Sequence, residues 1–164
     1  MQPFHDTSLE SSPGTTGSGG APVRPLRVMV VDDNADAADA LAAVAEMLGC
    51  EVRACYGGVA AVVAVTEDVP DVLLLDLSMP VVNGLEVAAR ARALAGSRPL
   101  LLVATTALGA WEDRAETALA GFHFHLVKPV DMRTLQAALD RFREVCRVTA
   151  ATPASHVGPT ADPT

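Results

Sequence analysis

The sequence has 164 residues, a length that suits one domain of ordinary size with some residues to spare. Hydrophobic residues make up 50% of it and aromatic residues only 4%, so aliphatic and alanine side chains must form the core. The formal net charge of −8 opposes binding to nucleic acid and to anionic membrane surfaces. No apolar run approaches the roughly 18 to 20 residues that span a bilayer, and the first residues lack the pattern of a signal peptide. We therefore expect a cytoplasmic protein whose partners are proteins or cations.

The two ends of the chain differ in composition from its middle. Residues 1–25 include a stretch rich in Gly, Ser, Thr and Pro, and residues 148–164 repeat that composition. Such segments carry too little apolar surface to offset the entropy cost of folding. We predict a disordered tail at each end and one compact domain at residues 26–147.

Within that domain, short aliphatic runs alternate with patterns of helical period. In chain order, the predicted elements are a strand at 26–31, a helix between Asn34 and Gly49, a strand at 51–55, a helix at 58–66, a strand at 72–75, a helix at 84–95, a strand at 100–104, a weaker helix at 110–120, a strand at 122–127 and a helix from Asp131. Strands that are apolar throughout must be covered on both faces, and strands separated by helices pair in parallel. The pattern predicts an α/β fold with a doubly wound, five-stranded parallel sheet.

Polar residues follow most of the predicted strands, at the edge of the sheet where ligands bind in such folds. They are Asp32 and Asp33 after the first strand, Asp76 after the third, Thr105 and Thr106 after the fourth, and Lys128 after the fifth. Three carboxylates at one edge repel one another unless a cation joins them, and Mg²⁺ prefers such oxygen ligands. Two of the acids would hold the metal, and the third is then free to act as a nucleophile toward phosphorus. Thr106 offers a hydroxyl for the transferred oxygens, and Lys128, the only lysine among twelve basic residues, offers a point charge.

These residues stand in motifs that resemble those of response regulator receiver domains from two-component systems. The motifs are VVDDN, LLLDLSMPVVNGLE, a threonine-alanine pair at Thr106 and Ala107, and GFHFHLVKPV, in the order and at the intervals of that family. The resemblance covers about residues 26–147. It implies the flavodoxin-like receiver fold.

The resemblance also implies a role for each residue of the acidic cluster. Asp76 would be the phosphoacceptor. Asp32, Asp33 and Asp76, together with the backbone carbonyl of Ser78, would hold Mg²⁺.

Further roles follow from the same resemblance. Thr106 would be the switch hydroxyl, Lys128 would contact the phosphoryl oxygens, and the Lys128–Pro129 peptide bond would be cis. Many family members carry Tyr or Phe at the switch position where this chain has His125. The resemblance still implies a switch surface on the face made by the fourth helix, the fifth strand and the fifth helix, and it leaves the effect of His125 on the output open.

The function predicted from these residues is that of a stand-alone receiver in a Mg²⁺-dependent phosphorelay, not an enzyme. A histidine kinase or phosphotransfer protein would phosphorylate Asp76, and a downstream protein would recognise the changed surface. Too few residues follow Arg147 for an output domain. The alternative is an unphosphorylated pseudo-receiver that acts as a constitutive docking module, which His125 and the missing output domain keep open. A small hydrolase with an aspartate nucleophile is a weaker third hypothesis, because no general acid or base can be named.

Overall fold

The computed structural model describes residues 24–107 and 121–151, which contain five strands and four helices that we number in chain order. They are β1 (Arg27–Asp32), α1 (Ala35–Met47), β2 (Glu51–Tyr56), α2 (Gly58–Glu67), β3 (Val72–Asp76), α3 (Gly84–Ala95), β4 (Leu101–Thr106), β5 (Phe124–Val127) and α4 (Met132–Ala151). The helix predicted at 110–120, and residues 1–23 and 152–164 of the predicted tails, lie outside the described residues.

The five strands form one parallel sheet in the order β2-β1-β3-β4-β5. The chain passes from β1 to β2 on one side and then returns to place β3 on the other side of β1. The strand order therefore reverses between β1 and β3, where ligands bind in sheets of this kind. The predicted doubly wound α/β fold is confirmed.

Alternate residues of the sheet enter two separate cores. The core between the sheet and helices α2 and α3 includes Met29, Leu75, Ala64 and Val87. The core between the sheet and helices α1 and α4 includes Val30, Leu74, Ala45 and Leu139. Because both faces are covered, residues 28–31, 72–75 and 101–104 of the central strands are apolar without alternation.

Local sequence signals set helix boundaries at both edges of the sheet. The Asn34 side chain accepts a hydrogen bond from the Ala37 N–H at 3.2 Å, and α1 begins at the next residue. Gly49 adopts a φ of +78° just beyond the end of α1, a conformation that glycine reaches without strain. Asn83 and Glu86 form a reciprocal capping box at the start of α3. The caps at Asn34 and Asn83 orient the loops that follow β1 and β3.

Both ends of the folded region extend beyond the predicted domain boundaries. The Arg24 guanidinium, assigned to the tail from sequence, donates two hydrogen bonds to the Asp71 carboxylate, at 2.7 and 2.9 Å. Helix α4 continues past Arg147 to Ala151, with Thr149 Oγ1 donating to the Val145 carbonyl at 2.9 Å. Composition suggested a tail at both places, but an ion pair at one end and alanine-rich helical sequence at the other extend the ordered structure.

Strand β4 is also displaced from its prediction, ending at Thr106 rather than Ala104. Thr105 pairs with Asp76 of β3, and Thr106 pairs with Val127 of β5, so both threonines belong to the ladder.

Within residues 24–107 and 121–151, no helix combines the length and the apolar character needed to cross a bilayer.

Candidate functional site

Three aspartates meet at the carboxyl edge of the sheet. Asp32 ends β1 and Asp76 ends the neighbouring strand β3, while Asp33 follows Asp32. One carboxylate oxygen from each of the three lies within 4.8 Å of the others. Asp32 and Asp76 are buried, whereas Asp33 is exposed. The strand order thus brings Asp76 next to Asp32 and Asp33, which precede it in the sequence by more than forty positions.

Lys128 bridges the two buried aspartates. Its Nζ atom lies 2.5 Å from Asp32 Oδ2 and 2.6 Å from Asp76 Oδ2. The side chain must cross the end of β4 to do this, because β4 separates β5 from β3. Burial alone would lower the pKa of Lys128, but hydrogen bonds and the negative charges of Asp32 and Asp76 raise it above its ordinary value. The lysine is therefore an ammonium ion at neutral pH.

Backbone amides hold the other oxygen of each buried carboxylate. The Asn34 N–H donates to Asp32 Oδ1 at 2.9 Å, and the Ser78 N–H donates to Asp76 Oδ1 at the same distance. Each carboxylate is thus fixed by one local hydrogen bond and one bond from distant Lys128. This orients Asp76 at the open edge of the sheet. The roles of Asp76 as acceptor and of the Ser78 carbonyl as metal ligand stay predictions.

Both threonines that end β4 are buried. The backbone carbonyl of Thr106 accepts a hydrogen bond from the Lys128 N–H at 2.8 Å, which ties the predicted switch residue to the bridging lysine. Thr105 lies beside Asp76 in the ladder, and its Oγ1 has no hydrogen-bond partner within the described structure. Sequence spacing favours Thr106 over Thr105. The unpartnered hydroxyl of Thr105 becomes visible only once the strand register is known.

The last two predicted site residues flank the end of β5. His125 is half-buried, and its ring centroid lies 6.3 Å from that of Phe122, with the planes inclined at 45°. The Lys128–Pro129 peptide bond is cis. The switch role of His125 stays a prediction.

The donor set of the aspartate cluster fits a hard divalent cation. All three side chains offer carboxylate oxygens, the ligands that Mg²⁺ prefers. Among the residues that the structure describes, no other group of three or more His, Cys, Asp or Glu side chains is arranged to hold a metal ion. The structure therefore brings the three predicted acidic ligands together, and their role in holding a metal stays a prediction.

This fold occurs in a known protein family. The family model described as "Response regulator receiver domain" matches residues 28–140. The chain belongs to that family.

Two similar curated proteins differ in how much of their own length this chain spans. Transcriptional regulatory protein PrrA of Mycobacterium tuberculosis is 34% identical over 111 residues, which are 68% of this chain and 47% of that protein. An uncharacterized 14.6 kDa protein of Leptolyngbya boryana is 34% identical over 106 residues, 65% of this chain and 81% of that protein. The chain therefore spans about half the length of the transcriptional regulator that it matches.

A similar solved structure carries a metal ion. It is the receiver domain of sensor histidine kinase PA1611 from Pseudomonas aeruginosa, which has a magnesium ion coordinated in its active site cleft. The two structures superpose with a TM-score of 0.65 and 28% sequence identity, over 73% of this chain and 98% of that one.

Proposed function

We propose that this receiver domain accepts a phosphoryl group on Asp76 in a Mg²⁺-dependent phosphorelay. The donor would be a phosphohistidine on a histidine kinase or a phosphotransfer protein. The phosphorylated domain would then signal to a downstream protein through its surface. The proposal rests above all on one observation, the bridge that Lys128 Nζ makes between the carboxylates of Asp32 and Asp76.

The bridge places a positive charge beside the proposed nucleophile. A carboxylate oxygen of Asp76 would attack phosphorus as the bond from phosphorus to the histidine nitrogen breaks. The bonding electron pair leaves with the imidazole, and the product is an acyl phosphate on Asp76. The three phosphoryl oxygens then need cationic partners, and the flexible ammonium of Lys128 can move from a carboxylate to one of them.

The three carboxylates would hold Mg²⁺ during this transfer. Asp32, Asp33 and Asp76 would provide side-chain oxygens, and the Ser78 carbonyl would provide the backbone ligand. The ion, when bound, would neutralise the cluster and draw electron density from the phosphoryl oxygens. The magnesium ion in the similar PA1611 receiver domain supports this assignment.

A change of surface would carry the signal. The backbone carbonyl of Thr106 accepts a hydrogen bond from the Lys128 N–H. A movement of the Thr106 hydroxyl toward the phosphoryl group would therefore displace the end of β4. His125 lies on the neighbouring strand β5, and its Cα is paired with that of Ala104. We propose that the side of the domain formed by β5 and α4 is the region that a downstream protein recognises. The stand-alone arrangement stays a prediction.

Phosphorylation can be tested by measuring the intact mass of the full chain after incubation with acetyl phosphate. We expect one phosphoryl group to be added in the presence of Mg²⁺, and none when a chelator removes it. Asp76→Asn should abolish the addition, whereas Asp36→Asn, a matched change at an exposed position in α1, should leave it unchanged. Label on folded Asp76→Asn protein would contradict the site assignment.

The same experiment separates this function from the two alternatives. Folded protein that gains no label from acetyl phosphate or from histidine kinases would favour the constitutive docking module. We propose that the domain is not an enzyme, and we therefore expect no sustained turnover of a small phosphomonoester. Turnover that depends on Asp76 would instead favour the hydrolase.

A further inference from the structure

A cavity lies at the amino end of the sheet, on the side away from the aspartate cluster. Its volume is about 630 Å³, within the range of small-molecule sites. It lies where the first residues of β4 and β5 meet the end of α3 and the middle of α4. Its lining includes neither the three site aspartates nor Lys128.

The charged lining of this cavity is entirely cationic. Arg92, Arg98 and Arg141 line it, and none of the described residues around it is acidic. The concentration of positive charge is notable because the chain as a whole carries a formal net charge of −8. Arg141 is exposed, and its guanidinium has no hydrogen-bond or ion-pair partner among the described residues.

The other two arginines are held in place without being neutralised. Arg92 Nη2 donates to the Gly121 carbonyl at 2.8 Å. The Arg98 guanidinium donates to the carbonyls of Val69 and Pro70 at the neighbouring loop. A carbonyl carries no net charge, and a guanidinium has five N–H donors, so both groups keep their charge and further donors.

His123 adds a neutral donor to the same lining. Its Nδ1 accepts a hydrogen bond from the Leu102 N–H at 3.1 Å, which leaves the proton on Nε2. Burial lowers the pKa of His123, and the positive charge of Arg92 lowers it further. The imidazole is therefore neutral near pH 7 and offers its Nε2–H as a donor.

We propose that this cavity binds a small organic anion, whose phosphate or carboxylate group is held by Arg92, Arg98 and Arg141. Three neighbouring guanidinium groups repel one another, and an oxyanion relieves that repulsion while accepting paired N–H bonds. The apolar part of the ligand would pack against Phe124 and Phe142, which also line the cavity. This site is independent of the proposed phosphorylation of Asp76.

The test is a titration of the full chain carrying Asp76→Asn, in the absence of divalent cations, so that the aspartate cluster does not take up the probe. Phenyl phosphate, benzoate and inorganic phosphate are the probes, and amide chemical shifts report both affinity and location. We expect saturable binding of phenyl phosphate or benzoate, tighter than that of inorganic phosphate, with shifts centred on Leu102 and His123. The stronger of the two aromatic probes identifies the preferred oxyanion. Equal affinity for phenyl phosphate, benzoate and inorganic phosphate, or no saturation, would overturn the proposal.

Arg141→Gln tests the assignment of the anion. Removing one charged hydrogen-bond donor should weaken binding of the preferred aromatic probe by about tenfold. Arg90→Gln is the matched control, since Arg90 is exposed on α3 and does not line the cavity. Equal losses in the two variants, or shifts centred on Asp32 and Lys128, would rule the site out. Arg141→Lys, which keeps the charge but not the planar fork, should retain part of the affinity and provides a second variant.

Discussion

The ammonium nitrogen of Lys128 lies 2.6 Å from Oδ2 of Asp76, although 52 positions separate the two residues in the chain. The same nitrogen contacts Asp32, so one cation stabilises two buried carboxylates at the ends of adjacent strands. Lys128 therefore has a structural role as well as the proposed role in phosphoryl transfer. The two roles can be separated by measuring stability and labelling in the same variants.

Lys128→Met should lower the free energy of unfolding by about 1–3 kcal/mol, because two buried carboxylates lose a charged donor. Urea denaturation at neutral pH measures the change. Added Mg²⁺ should restore more stability to the variant than to the unaltered chain, because the cation replaces the missing charge. Arg133→Met, at an exposed position in α4, removes a charge in the same way and should have little effect. A Lys128→Met variant as stable as the unaltered chain would contradict the structural role.

Asp71 should make stability depend on pH in the acid range. It is buried and accepts hydrogen bonds from the Arg24 guanidinium and the Arg27 N–H. Burial alone would raise the pKa of Asp71, but these bonds and the charges of Arg24 and Arg27 lower it below its ordinary value. The ionised form thus stabilises the fold above the unfolded pKa of about 4, and that contribution is lost as the pH falls through the folded value.

Asp71→Asn tests this pH dependence. At neutral pH the substitution should lower the free energy of unfolding by about 1–2 kcal/mol, since the exposed Arg24 is partly screened by solvent. The difference from the unaltered chain should shrink in urea titrations below about pH 4, where the carboxylate becomes protonated. Asp36→Asn serves as the exposed control. A difference that stays constant with pH would contradict the contribution of the ionised carboxylate.

The two neighbouring threonines of β4 should respond differently to the same substitution. Thr105→Val removes a buried hydroxyl that has no partner, so it should increase stability by up to about 1 kcal/mol and leave phosphorylation intact. Thr106→Val should also permit labelling of Asp76 but reduce the changes in amide chemical shifts along β5 and α4 that follow it. Denaturation and nuclear magnetic resonance spectra measure the two effects. A loss of the spectral response in Thr105→Val instead would assign the switch hydroxyl to Thr105.

Gly84 should be intolerant of any side chain. A Cβ atom at this first residue of α3 would lie 2.4 Å from the Asp76 carbonyl oxygen and 3.1 Å from Leu77 Cα. Gly84→Ala should therefore push α3 away from the loop after β3, lowering the free energy of unfolding by about 1–3 kcal/mol and slowing labelling of Asp76. Thermal denaturation and intact mass measure the two effects. Ala89→Ser, exposed on the same helix, should change neither, and a fully stable Gly84→Ala variant would contradict the close packing.

Much of the fold follows from local signals in the sequence. The apolar runs that predict β1, β3 and β4 form the buried central strands of the sheet, and Asn34 caps the helix that it is predicted to precede. The ends were harder to predict, because the contact of Arg24 with Asp71 joins residues that lie far apart in the chain. Composition alone assigns Arg24 to a tail.

The sequence by itself determined which polar residues follow the strands, because periodicity and turn residues are local properties of the chain. Only the tertiary structure decided which of them touch. The order and register of the strands set how far Lys128 must reach across the end of β4, and they leave Thr105 Oγ1 without a hydrogen-bond partner in the described structure. The packing of the helices on the sheet places Arg92, Arg98 and Arg141 around one cavity. Those contacts join distant segments, so they depend on how the whole sheet packs and not on any local pattern.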